Sequence, residues 1–83
     1  MVLNLPMQCD YEKVFALIDA GDWDGAHRLV QVHSDTLSCL IHGYLHRDEG
    51  DLGNASYWYH SAGEELSRNP LPEELERLKQ MVS

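Results

Sequence analysis

Asp19-Ala20-Gly21-Asp22-Trp23-Asp24-Gly25-Ala26 is answered 29 residues later by Asp48-Glu49-Gly50-Asp51-Leu52-Gly53-Asn54-Ala55, and four of the eight positions coincide: Asp19 with Asp48, Gly21 with Gly50, Asp22 with Asp51, Ala26 with Ala55. Glycine followed by aspartate is the chemistry of one helix ending and the next beginning. The glycine takes the left-handed conformation that stops a helix, and the aspartate carboxylate accepts from the free amides of its successor. Each octet lies between segments with helical spacing, so the sequence predicts a helix-turn-helix unit used twice.

Upstream of the first corner, Asp10 is placed as an N-cap and Tyr11, Val14, Phe15 and Ile18 form a core-facing stripe. Downstream of it, Asp22 caps a helix with the apolar face Trp23, Ala26, Leu29 and Val30. Helices joined this tightly must run antiparallel. Ser34-Asp35-Thr36 offers a fresh cap, and Leu37, Leu40, Ile41, Tyr44 and Leu45 mark a helix that ends at Gly50. After the second corner, Leu52, Ala55, Tyr59, Ala62 and Leu66 share one arc with Trp58 at its edge, while Tyr57, His60, Ser61 and Glu64 point outward. Asn69-Pro70-Leu71-Pro72 is a breaker; Glu73, Glu74, Leu75, Leu78 and Met81 or Val82 then read as a fifth helix, with acids in the first turn where they complement the dipole.

No segment alternates with period two, so the expected fold is all-α: two antiparallel helix-turn-helix hairpins plus a C-terminal capping helix that closes the stack. A single domain is expected, with an N-terminal segment over 1–9, hairpins over 10–33 and 35–68, and the capping helix over 71–83.

A chain of 83 residues buries roughly 60% of its unfolded surface, which leaves little room for a deep substrate cavity. Fourteen acids against six bases give a net charge of -8, which repels phosphate backbones and anionic lipid heads. Direct nucleic-acid binding and membrane binding are therefore not expected. The charge suits a basic protein or peptide partner, and an acidic mimic of nucleic acid is a third class. Cys9 and Cys39, the only thiols, are expected to be reduced. Met1-Val2-Leu3-Asn4-Leu5-Pro6-Met7 has neither a basic region nor a long apolar run, so a cytoplasmic protein is expected.

From Gly43 to Ala62 the second unit resembles a tetratricopeptide repeat, with Gly43, Gly50-Asp51, Ala55, Tyr59 and Ala62 at that family's spacing of small and aromatic positions. The first unit keeps Gly21-Asp22 and Ala26 but has Val14, Val30 and His33 where the family has glycine, an aromatic residue and alanine. Its period of 29 compares with about 34 in the family. The resemblance implies a scaffold of stacked helix pairs that presents a surface to a protein or peptide.

His42 and His46 stand four apart on one helix, with Glu49 three further on, so the three project from one side. Two imidazoles at that spacing can meet one divalent ion, with the carboxylate as a third ligand. The stretch His42-Gly43-Tyr44-Leu45-His46 lacks the glutamate that follows the first histidine in metalloproteases. The alternative is that His42 packs between helices while His46 bonds a neighbouring carbonyl or carboxylate.

Around the second corner the chain carries His46, Arg47, Glu49, Asn54, Tyr57, Trp58 and His60, where the first copy has Leu17, Ile18, Ala20, Gly25, Arg28, Leu29 and Gln31. Tyrosine, tryptophan and arginine dominate binding hot spots, so this excess reads as a recognition patch; Trp58 and Tyr59 also serve as core. Nucleophilic catalysis has no support, since Ser38, Cys39, Ser56 and Ser61 lack an elbow or an oxyanion loop. The sequence thus favours a non-catalytic protein-interaction module, possessing faces through which copies could self-associate. The competing reading is a metal- or small-ligand-binding protein, or an enzyme, using His42, His46 and Glu49, whose only cofactor would be a divalent metal ion.

Overall fold

The computed structural model describes residues 8–82 and contains five helices: α1 (Tyr11–Asp19), α2 (Trp23–Val30), α3 (Thr36–Asp48), α4 (Leu52–Ser61) and α5 (Leu71–Gln80). The described residues are all-α, as the hydrophobic spacing predicts. Among them no helix is long and apolar enough to cross a membrane. The expectations drawn from the first seven residues lie outside the described span.

Four of the five helices begin on an aspartate. Asp10 accepts from Lys13 N, Asp22 from Gly25 N, Asp35 from Ser38 N and Asp51 from Asn54 N, each satisfying an amide that the helix itself leaves without a partner. The fifth, α5, starts after Pro70 with no side-chain cap; Pro72 fits the first turn because its missing N–H would be unpaired there anyway.

The two corners have the same hydrogen bonds. Gly21 sits at φ +80° and Gly50 at φ +86°. In the first, Gly21 N donates to Ile18 O and Asp22 N to Leu17 O; in the second, Gly50 N donates to Arg47 O and Asp51 N to His46 O. This is the Schellman closure, which pairs the last carbonyls of the outgoing helix. Gly63, at φ +85°, repeats it, with Gly63 N bonded to His60 O and Glu64 N to Tyr59 O. That third closure ends α4 at Ser61, although the apolar spacing had extended the helix through Leu66. Leu66 instead packs on the core from the non-helical link that leads to α5.

Helix α1 packs on α2 and α3 on α4, while α3 also touches α2 and α5. The consequence is a central helix: every residue of α3 from Leu37 to His46 is buried. A helix buried on all sides needs no polar face, so the side carrying His42 and His46 is interior. Val14, Ala26, Val30, Leu40, Ile41, Tyr59 and Leu78 form the innermost part of the core. Leu52, which the helical arc had placed with them, is 55% exposed in the first turn of α4, where no neighbouring helix covers it.

Candidate metal centre

Three imidazoles meet where α2 crosses α3. His42 and His46 come from successive turns of α3, and His27 comes from the middle of α2, four residues after Trp23. One ring nitrogen from each lies within 4.8 Å of the others. The shortest approach is His42 Nε2 to His27 Nε2, 3.0 Å.

Two indoles enclose the group. Trp23 stacks on His27 with ring centroids 4.7 Å apart and planes 10° apart; Trp58 stacks on His42 at 4.0 Å and 15°. The imidazoles of His42 and His46 lie 5.0 Å apart and nearly parallel, and His27 meets both edge-on. Trp23 is held by its own hydrogen bond, Nε1 to the carbonyl of Leu45 at 2.7 Å, which also ties α2 to α3. The side chains around the imidazoles therefore have little freedom to reorient.

At His42 and His27 the electrostatics favour the neutral ring. Burial, followed by the proximity of His27 and His46, pushes the His42 imidazolium down to about 4. Burial and His46 likewise lower His27. A neutral imidazole keeps a lone pair on one nitrogen and can act as a metal ligand near pH 7. His42 Nδ1 is buried with no hydrogen-bond partner, an arrangement that costs about 1–3 kcal/mol in an ordinary interior.

His46 differs from the other two. Its Nδ1 faces Glu49 Oε1 at 2.5 Å, so Nε2 is the nitrogen left for the group. A carboxylate on the outer nitrogen fixes the tautomer and orientation of a metal-binding histidine and raises its basicity. A second potential group, His46, Glu49 and Asp51, shares this histidine but is largely exposed.

Both groups have spacing that can hold a divalent ion. Zinc–nitrogen bonds of about 2.05 Å in a tetrahedron place neighbouring nitrogens about 3.3 Å apart. The 3.0 Å approach of His27 and His42 is within a few tenths of an ångström of that edge. The residues present thus fit an ion in number and donor type, at separations of 4.8 Å or less, and the His27–His42 pair is also at hydrogen-bond distance.

Relative to the sequence expectations, His42 and His46 are brought together, while Glu49 stands behind His46 and does not join the three-imidazole group. His27 was missed. It sits at i+4 from Trp23 and three before Val30, on the stripe already assigned to the core, so the helical period did contain a signal for it.

The proposed recognition patch is divided. His46 is 6% exposed and Trp58 is half-buried against His42. Arg47 reaches Asn69, with Nη1 on Oδ1 at 3.2 Å and Nη2 on the backbone carbonyl, so it braces the link before α5. Asn54 stays beside Asp51 at the α4 cap, and His60 is exposed 3.6 Å from Glu65. Tyr57, 60% exposed, rests its ring against the edge of Trp58. Glu49, Asn54, Tyr57 and His60 are exposed, whereas His46 is buried and Trp58 half-buried.

Comparison of the chain with protein-family profiles, curated proteins and solved structures yields no match.

Proposed function

We propose that this protein binds a divalent transition-metal ion through His27, His42 and His46, with Glu49 orienting His46 from outside the coordination shell. The reading is carried by the convergence of three imidazoles from two helices at ligand spacing. An all-imidazole set suits zinc, copper or nickel better than magnesium or calcium, which prefer oxygen.

The ion would join the two helix pairs, because His27 belongs to the first and the other two ligands to the second. The tetratricopeptide-like scaffold is supported by the matching hydrogen bonds of the Gly21 and Gly50 corners. On this reading the repeat supplies a rigid frame and the α2–α3 contact supplies the site. The work proposed for the chain is metal binding; no reaction is assigned to it.

Titration with Zn2+ while following the histidine ring resonances tests the proposal. Simultaneous, saturable shifts at His27, His42 and His46, with His33 and His60 unmoved, are expected. Weak and unsaturable changes spread over all the histidines would remove it.

A further inference from the structure

Resting on that metal reading, we infer that an ion held by His27, His42 and His46 keeps a fourth coordination position that the protein does not fill and that a small monodentate donor from solution occupies, water by default.

Among the described residues the group of His27, His42 and His46 has no fourth member, and the adjoining group shares only His46 with it. Glu49 lies on the Nδ1 side of His46, across the ring from the nitrogen that faces inward. Asp51 is engaged at the start of α4. Neither Cys9 nor Cys39 belongs to either group.

Zinc and cobalt complete at least four bonds, and three protein ligands are the pattern of sites that exchange their remaining ligand with solution. Neutral imidazoles leave the ion its double positive charge, so a small anion can compete with water there. The donor must be small. Trp23 and Trp58 occupy the flanks of His27 and His42, and the cavities beside α1, one at the α2–α3 link and one towards α5, have no member of the group in their walls. His42 and His46 are 4% and 6% exposed whereas His27 is only partly buried, so entry is from the His27 side.

Co2+ loaded onto the full chain reports both the binding and the coordination number through its visible ligand-field bands. Azide is the probe. A saturable change in the bands, with one azide bound per cobalt and the cobalt retained on dialysis, is expected. Bands that ignore azide while the cobalt stays bound would overturn the open position and leave the metal reading standing. Failure to take up Co2+ saturably would overturn both.

Discussion

Gly43 lies directly against Tyr59: a Cβ on Gly43 would stand 2.6 Å from Tyr59 Cδ1 and 3.2 Å from the carbonyl oxygen of Ala55. The absence of a side chain is what lets α3 and α4 close on each other. Tyr59 is fully buried and its hydroxyl donates to Glu74 Oε2 at 2.6 Å, so the ring cannot swing aside. Gly43→Ala should destabilise the protein by about 1–3 kcal/mol, the usual cost of overpacking a core. Gly53→Ala is the control, since nothing lies within 4 Å of its Cβ position and α4 would gain about 0.5–1 kcal/mol of helix propensity. Urea denaturation of the two variants should shift the midpoint in opposite directions; a shared direction would contradict the close approach.

Glu49→Gln should weaken Zn2+ binding by about 10–100-fold, the effect of removing an outer-shell carboxylate, and leave the stoichiometry unchanged. His27→Ala should lower affinity further and abolish the coupled shifts of His42 and His46. Competition against a chromophoric chelator measures both. If Glu49→Gln binds as tightly as the wild type, Glu49 has no part in orienting His46.

Metal-free protein should lose stability on mild acidification. His42 titrates at about 4 in the fold against an ordinary 6.5, so as pH falls the unfolded chain takes up its proton first. This contribution is complete above pH 6.5 and declines between 6.5 and about 4, with His27, also lowered, adding to it. The loss from His42 alone amounts to about 3 kcal/mol. Thermal melts in chelator through this range should show the decline, and His42→Leu should flatten it. An unchanged slope in that variant would contradict the assignment.

A second acid transition should come from Glu74, which is 0% exposed. Burial alone raises its pKa, but hydrogen bonds from Arg77, Tyr59 and Asn69 outweigh that and hold the carboxyl at about 2, against an ordinary 4.5. Its contribution is complete above pH 4.5 and falls away as the pH drops towards 2. Glu74→Ala should cost on the order of 3 kcal/mol at neutral pH by stranding buried partners. Glu74→Gln should cost less and remove the lower acid transition, a difference that denaturation at two pH values resolves.

The sequence by itself determined the helices and how they end. An aspartate three residues before the amide it caps, or a glycine closing onto carbonyls three to five residues back, acts within a single turn of chain, so Asp10, Asp22, Asp35, Asp51, Gly21 and Gly50 could be read in order. Gly63 acts by the same local chemistry, but Leu66 continues the apolar arc beyond it and masks the stop. Two of the three imidazoles were equally local, since His42 and His46 share a helix.

The rest was decided by which helix met which. That α3 is covered on every side, that His27 arrives from another helix pair, that Trp58 lies on His42, and that Glu74 is sealed beneath Tyr59 depend on contacts between distant parts of the chain. Periodicity gives the angle of a side chain about its own helix axis. It does not give the neighbour waiting at that angle, and here that neighbour brought His27 to His42 and His46.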